Sequence, residues 1–175
     1  SNKQVKQCIS STFQDEEFVF EWWSYMFKGQ TPHDEQIVWT TNSSSTGWYS
    51  KQDKSGGLTL GYKIEGPNVR PFIEYDAFGN IVRVESDVAV RMSAWHKIKI
   101  IKTNFLSDGK LLSKWKLYIC NSSGWKKGVD YIDPKFSTWN QAQDSTLNKI
   151  KMFAEAHSST RRYYGYLYNF KVYNI

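Results

Sequence analysis

Residues 18–25 read Phe-Val-Phe-Glu-Trp-Trp-Ser-Tyr, and this stretch decides the fold class. Phe18, Phe20 and Trp22 occupy alternate positions, so an extended chain places all three side chains on one face and Trp23 on the other. Such a period of two is the signature of a strand with one face turned to a hydrophobic core. The stretch therefore predicts a β-strand in a sheet that packs against a second layer.

The same alternation recurs outward from this stretch, in residues 97–100, 115–120 and 170–173. Turn residues separate the runs, and Asp-Ala-Phe-Gly-Asn at residues 76–80 predicts a hairpin. Helical patterns are scarce, and residues 137–143 are the best candidate for a short helical turn. Many short strands joined by such turns predict an all-β fold, an antiparallel two-sheet sandwich of the jelly-roll type.

Length and composition are those of one globular domain. The chain has 175 residues, of which 17% are aromatic, so we expect a single sandwich domain over residues 1–175 with ample material for its core. Ser1 and Asn2 resemble what remains of a purification tag. No run is apolar enough to cross a bilayer, so membrane insertion is not expected. A signal sequence is not evident either, which says little where the native start has been replaced by a tag remnant.

The charge of the chain leaves two interpretations open. The formal net charge is +6, with Lys and Arg spread along the sequence. Such a balance is typical of a soluble surface, or it attracts a polyanionic partner such as an acidic polysaccharide. A nucleic-acid partner is not expected, because no nucleic-acid-binding motif accompanies the charge. Cys8 and Cys120 are either one disulfide or two unpaired buried thiols.

Four segments, taken in order, resemble a known family. They are residues 18–25, Ala-Trp-His-Lys-Ile-Lys-Ile at 94–100, Lys-Leu-Tyr-Ile at 116–119 and the closing run Gly-Tyr-Leu-Tyr-Asn-Phe-Lys-Val-Tyr-Asn at 165–174. Their order and spacing resemble concanavalin A-like and laminin-G-like jelly rolls, of the kind found in bacterial surface proteins and phage tail or fibre proteins. The resemblance implies two antiparallel sheets whose first and last strands pair. It also implies recognition of sugars or proteins by loops and the concave sheet.

Some members of that family hold calcium with acidic loop residues, but no such cluster is evident here. Asp130 and Asp133 are the best remaining pair, and both also suit ordinary turns. We therefore predict no metal and no cofactor.

The sequence offers little for catalysis. A glycosidase needs two carboxylates across the scissile bond, and the best pair is Glu74 and Asp76, which a strand would space ~6–7 Å apart. Asp76, however, also opens the predicted hairpin turn. Alginate lyases of similar fold carry a histidine where Val38 stands in Gln-Ile-Val, and His96 lies in the strand motif of the resemblance, where packing is its ordinary role. The chain is therefore predicted not to be an enzyme.

Carbohydrate binding requires only an exposed aromatic platform with a few polar groups around it. Aromatic residues in the predicted loops, and outward residues of the middle strands, supply both. Tyr62, Glu74, Arg83 and Glu85 are expected on the concave face, where Arg83 also suits a cross-strand ion pair. The predicted ligand-binding residues are Trp48, Tyr49, Asp53, Tyr62, Glu74, Arg83, Trp125, Tyr131, Trp139 and Arg161.

The sequence thus favours a non-catalytic recognition module that binds carbohydrate or a cell-surface receptor. We expect it on a secreted, cell-surface or virion-surface protein, where it would serve attachment. One alternative is a structural or assembly domain of a viral or surface fibre that contacts a protein neighbour. The other is a polysaccharide-degrading hydrolase or lyase.

Overall fold

The computed structural model describes residues 3–6, 17–29, 34–40, 58–77, 80–134, 149–152 and 163–175, with the backbone alone at 3–6, 76–77, 80, 149–152 and 174. These residues form twelve strands and no helix. The strands are β1 Lys3–Lys6, β2 Phe18–Met26, β3 Glu35–Thr40, β4 Leu58–Glu65, β5 Asn68–Ala77, β6 Asn80–Glu85, β7 Val90–Arg91, β8 Trp95–Ser107, β9 Lys110–Asn121, β10 Gly124–Ile132, β11 Lys149–Met152 and β12 Gly165–Asn174. A membrane-spanning helix is therefore not found in the described part of the chain. The short helical turn predicted at 137–143 lies outside it.

The strands form two antiparallel sheets. The larger sheet has the order β1-β11-β3-β4-β5-β6, with β7 paired to β5, and the smaller has the order β10-β9-β8-β2-β12. The predicted two-sheet sandwich and the β5–β6 hairpin are confirmed. The implied pairing of first and last strands is wrong in detail, because β12 pairs with β2 whereas β1 pairs with β11.

The core lies between the sheets and is rich in aromatic rings. Phe18, Phe20 and Trp22 of β2 are fully buried, as their alternation predicts. Phe20 stacks on Trp39 of the larger sheet with ring centroids 4.5 Å apart. Large buried rings contribute most of the apolar area removed from water, so this contact joins the two layers strongly.

A β-bulge in β12 decides which of its side chains face solvent. The pairing with β2 shifts between Tyr168 and Lys171, and Asn169 adopts a positive φ of 55°. Asn is one of the few residues that tolerate this conformation. Because of the extra residue, Leu167 and Phe170 both pack against the core, whereas Tyr168 and Lys171 both point outward.

Candidate ligand-binding site

The outer face of the smaller sheet presents its side chains in rows that run across the strands. Strand pairing sets these rows, since residues opposite one another point to the same side. The first row consists of Trp95, Tyr25 and Tyr166. The second row consists of Trp125, Cys120, Lys97, Trp23 and Tyr168. The third row, which we call the lysine row, consists of Lys127, Tyr118, Lys99, Glu21 and Lys171.

A groove of about 510 Å³ opens on this face where the first two rows meet β12. It is lined by Trp23, Trp95, Tyr166, Leu167 and Tyr168. Three of these aromatic side chains are well exposed, at 47% for Trp95, 62% for Tyr166 and 66% for Tyr168. Single exposed aromatic residues are ordinary, but several around one groove mark a binding surface. We call this feature the aromatic groove.

The rings of the groove are held in place by one another. The Tyr25 ring packs edge-on against Trp95 with centroids 5.5 Å apart, and lies 5.9 Å from the Tyr166 ring on its other side. Such tilted contacts are the preferred geometry of aromatic pairs. Since all three rings stand on paired strands, the platform is set by the sheet and not by a loop.

Buried polar groups tie β12 to β2 at this end of the sheet. The hydroxyl of Tyr163 lies 2.7 Å from the hydroxyl of Ser24, and 3.2 Å from the carbonyl oxygens of Tyr25 and Tyr166. Burial raises the pKa of the Tyr163 hydroxyl, so that it stays protonated and able to donate. These bonds hold β12 against β2, two of the three strands that carry the groove.

Gln36 supplies a second tie, from the opposite sheet. Its Nε2 donates to the carbonyl oxygens of Phe27, at 3.1 Å, and Lys28, at 2.9 Å, and its Oε1 accepts from the main-chain N–H of Tyr164 at 2.9 Å. Gln36 is fully buried. It therefore belongs to the core and is not on a solvent-facing surface, although it stands in the Gln-Ile-Val segment compared above with lyases.

Charged groups surround the second and third rows. Lys97 Nζ lies 3.7 Å from a carboxylate oxygen of Glu21, and 6.0 Å from the centroid of the Trp125 ring. The Tyr173 hydroxyl donates to Glu21 at 3.2 Å. Lys127 bonds Asp130 at 2.9 Å, which lowers the pKa of that carboxyl group. The face thus combines an apolar groove with hydrogen-bonding and cationic groups beside it.

The outer face of the larger sheet carries the predicted Glu74 and Arg83. They are register partners on β5 and β6, and Arg83 donates from Nε to Glu74 at 3.0 Å. The Arg83 guanidinium also pairs with Glu35, and lies 4.0 Å above the ring of Phe72. The cross-strand ion pair is therefore present, and Glu74 is only 2% exposed. The side chain of Asp76 lies outside the described residues, so the Glu74–Asp76 pair stays a prediction.

The other predicted residues are dispersed. Tyr62 was expected to point outward, and this is wrong: it is fully buried, and its hydroxyl lies 2.6 Å from Nε2 of His96. Leu58 and Leu60 precede it on the same face of β4, so strand alternation turns all three toward the core. Tyr131 is half-buried against the core. Glu85 is exposed, with Lys63 at 3.9 Å.

Trp125, a predicted loop aromatic that the structure describes, reaches the outer face, where it is 52% exposed in the second row. It stands on β10 and not in a loop. The remaining predicted ligand-binding residues lie outside the described part of the chain: Trp48, Tyr49, Asp53, Trp139 and Arg161. Cys8 lies there too, whereas Cys120 is half-buried on β9.

Asp130 and Asp133 do not form a common ligand set. Asp133 is buried, and its Oδ2 accepts a hydrogen bond from Tyr75 at 2.6 Å. Asp130 is exposed and pairs with Lys127. Across the described ranges, His, Cys, Asp and Glu side chains form no group of three or more that could hold a metal ion.

Comparisons with solved structures decide the fold. The chain superposes on the LG1-3 region of the laminin α2 chain with a TM-score of 0.60 and 12% identity, covering 99% of this chain. It superposes on the binding domain of botulinum neurotoxin serotype D with a TM-score of 0.58, again at 12% identity over 99%. The fold is the laminin-G-like, concanavalin A-like jelly roll. The resemblance found in the sequence is thereby confirmed at the level of the fold.

The jelly roll occupies 30% of the length of that laminin structure and 37% of the toxin structure. Alginate lyase vAL-1 from Chlorella virus matches with a TM-score of only 0.48 at 13% identity, covering 92% of this chain and 72% of the lyase. That score is too low to support an argument about function. No family model matches the sequence, and no curated protein matches it.

The residues of the aromatic groove were missed by the ligand-binding prediction, although the sequence holds a signal for some of them. Alternation in β2 assigns Trp23 to the face opposite the core. Trp95 was assigned to a strand motif of the jelly roll, and its exposure to solvent was therefore not predicted. Tyr166 and Tyr168 alternate with Leu167, but their meeting with Trp23 depends on the pairing of strands far apart in sequence.

Proposed function

We propose that this jelly roll is a non-catalytic recognition module that binds carbohydrate in the aromatic groove. The observation that carries the proposal is the cluster of exposed rings, Trp95, Tyr166 and Tyr168, around one groove with Trp23 beneath them. Sugar rings have apolar C–H faces and polar hydroxyl edges, so they stack on aromatic rings while polar groups beside the stack bind the hydroxyls. Glu21, with acceptor oxygens, stands next to the groove for that purpose.

The shape of the surface favours a sugar over a protein partner. Protein interfaces of stable complexes are larger and have a continuous apolar centre. Here the second of the two rows that carry the aromatic side chains lies directly beside the lysine row, which also contains Glu21. A narrow apolar strip with polar groups along its side suits a chain of sugar rings.

Binding without chemistry is supported by what lines the groove. The five lining residues are tryptophan, tyrosine and leucine, and none is a carboxylate. The neighbouring carboxylate, Glu21, is engaged by Lys97 and Tyr173. Hydrolysis of a glycosidic bond requires two carboxyl groups facing each other across it, and the lining residues of this groove do not provide them.

We further propose that the module acts outside the cell, on a secreted, cell-surface or virion-surface protein that attaches to a glycan-bearing surface. The fold it shares with a laminin region and a neurotoxin binding domain supports this location.

The alternative of a structural or assembly domain is favoured by one observation. The hairpin of β8 and β9 extends past β2, whose pairing with β8 ends at Lys102, and its tip exposes Leu106 by 70% and Leu111 by 50%. These two side chains are a small apolar contact that a protein neighbour could cover.

Replacing Tyr168 by alanine is expected to weaken glycan binding about tenfold or more, because one stacking platform is lost. Tyr168 is 66% exposed, so the free energy of unfolding should hardly change. Binding is measured by isothermal titration calorimetry, with the glycan that gives the strongest signal on a glycan array. Leu106→Ala is the matched control, since it removes an even more exposed apolar side chain from the hairpin tip.

Two outcomes would contradict the proposal. One is an array on which the domain binds no glycan. The other is glycan binding that survives both Tyr168→Ala and Trp95→Ala without loss, since the groove would then not be the site.

A further inference from the structure

We propose that the glycan is anionic and lies across the strands of the smaller sheet, with its carboxylate or sulfate groups over the lysine row. This inference rests on the proposed carbohydrate-binding function and adds the chemical class and the direction of the ligand.

The outer face of the smaller sheet carries an excess of positive charge. Apart from the hairpin tip, its described outward residues include six lysines against two carboxylates: Lys97, Lys99, Lys114, Lys116, Lys127 and Lys171 against Glu21 and Asp130. Both carboxylates already have a lysine partner, Lys97 for Glu21 and Lys127 for Asp130. An anionic ligand therefore meets cations whose charge the face itself does not balance.

Lys99 and Lys171 are the cations best placed for such a ligand. They flank Glu21 on the neighbouring strands β8 and β12, yet within the described residues neither makes an ion pair. Lys171 is exposed and Lys99 is half-exposed. Both ammonium groups are free to bind a carboxylate or a sulfate.

The spacing of the rows matches a sugar with a charged substituent. The lysine row lies two residues along β2 from Trp23, a distance of roughly 7 Å, and the bulge of β12 brings Lys171 into the same row as the third residue after Tyr168. A sugar ring stacked on those aromatic side chains directs one edge toward Lys99 and Lys171. A charged group on that edge would lie over the two ammonium groups, whereas a neutral hydroxyl would leave them to water.

The second row indicates the direction of the chain. It runs from Tyr168 on one edge strand to Trp125 on the other, four strand spacings or roughly 19 Å. This span exceeds one sugar ring, so aromatic side chains at both ends suit an oligosaccharide that crosses the strands. Lys97 stands between Trp23 and Trp125, where a further charged group would pass.

A single-stranded nucleic acid also combines stacking bases with negative charge, but the face suits it less well. Glu21 stands between Lys99 and Lys171 and would repel a backbone that carries a phosphate at every nucleotide, whereas a glycan can place its anionic groups over the two lysines and a hydroxyl over Glu21. The same carboxylate accepts hydrogen bonds from sugar hydroxyls. The charge pattern therefore favours a glycan whose anionic groups alternate with hydroxyls.

The test is an array that pairs each neutral oligosaccharide with its uronic acid or sulfated form on the same backbone, with oligo-dT alongside. The best pair is then titrated with the wild-type domain at several salt concentrations. We expect the anionic member to bind at least tenfold more tightly at low salt, and this advantage to shrink as salt is added. In the double variant Lys99→Gln, Lys171→Gln the advantage should disappear, while binding of the neutral member is retained.

The control is Lys63→Gln, Lys110→Gln, which removes the same net charge from the larger sheet and the hairpin tip and should keep the preference. If the neutral and anionic members bound equally tightly and both depended on Tyr168, the inference would be overturned and the proposed function would stand. Binding of no glycan would overturn both. If oligo-dT bound more tightly than every anionic glycan, and this binding depended on Lys99 and Lys171, the proposal that the ligand is a glycan would be overturned.

Discussion

Replacing Gln36 by leucine is expected to lower the free energy of unfolding by about 3 kcal/mol. The leucine side chain fills a similar volume, but the carbonyl groups of Phe27 and Lys28 and the N–H of Tyr164 lose their partner. A main-chain polar group left without a hydrogen bond in a protein interior costs about 1–3 kcal/mol. Since the three hydrogen bonds are only part-buried, the total should stay near the lower end for three groups.

The loss is measured by urea denaturation, with hydrogen exchange at the amides of Phe27 and Tyr164 as a local readout. Ile37→Leu is the matched control, because it lies next in the strand, is fully buried and makes no side-chain hydrogen bond; it should cost less than about 1.5 kcal/mol. A loss below about 1 kcal/mol for Gln36→Leu would mean that the amide does not hold the ends of β2 and β12. If Gln36→Leu lowers the free energy of unfolding by the expected amount, ligand binding in the aromatic groove should weaken as well. The reason is that β2 and β12 carry Trp23, Tyr166 and Tyr168.

The second large effect is a loss of stability in acid that depends on His96. This side chain is buried, and its Nε2 shares a hydrogen bond with the Tyr62 hydroxyl across the sandwich. Burial lowers the pKa of His96 from 6.5 to about 4. Burial likewise raises the pKa of Tyr62, so both partners are neutral at physiological pH.

The direction of the effect follows from linkage. The unfolded chain takes up a proton at His96 near pH 6.5, whereas the folded protein resists protonation until about pH 4. The contribution is therefore complete above pH 6.5 and is lost as the pH falls toward 4. The difference between the two pKa values corresponds to about 3 kcal/mol.

Chemical denaturation at intervals from pH 7.5 to pH 4 measures this loss. The variant His96→Gln should have a flatter profile than the wild type over that interval, because the contributions of all other groups cancel in the difference. Tyr62→Phe should keep most of the slope, since burial and not the hydrogen bond is the main cause of the lowered pKa. Parallel profiles for wild type and His96→Gln would show that His96 is already accessible to protons in the folded protein.

The placement of the aromatic groove on strands has a functional consequence. Rings carried by paired strands keep their geometry without a ligand, so little conformational freedom is lost on binding. The buried Tyr163 hydroxyl strengthens this effect by joining β12 to Ser24 and Tyr25. We therefore expect the site to be formed before the glycan arrives.

The sequence predicted the fold class because strand alternation is a local property. In β2 the period of two identified the buried Phe18, Phe20 and Trp22, and the same period predicts an outward Trp23. The prediction for Tyr62 failed for a different reason. The alternation of Tyr62 with Leu58 and Leu60 indicated the buried face. The tyrosine was nevertheless assigned to the surface because its hydroxyl needs a partner, and that partner is the buried His96.

The candidate site could be predicted only in pieces. Trp125 was named, while Trp95, Tyr166 and Tyr168 were not, because nothing near them in sequence shows that they meet. They come from β8 and β12, which are neighbours of β2 through pairings that span 70 residues or more along the chain. The bulge at Asn169 then sets which side chains of β12 face outward, and the alternation on either side of it does not reveal the change.

By itself the sequence determined many of the strands, most of their buried faces and hence a two-sheet sandwich, because the side-chain direction in a strand depends only on local backbone geometry. The tertiary structure decided the order of strands, the register between them and the bulge, and with these the meeting of Trp23, Trp95 and Tyr168 in one groove beside Lys99 and Lys171. Such contacts arise from hydrogen bonding between distant segments and from burial of both sheets against a common core, and neither is encoded in a pattern within one segment.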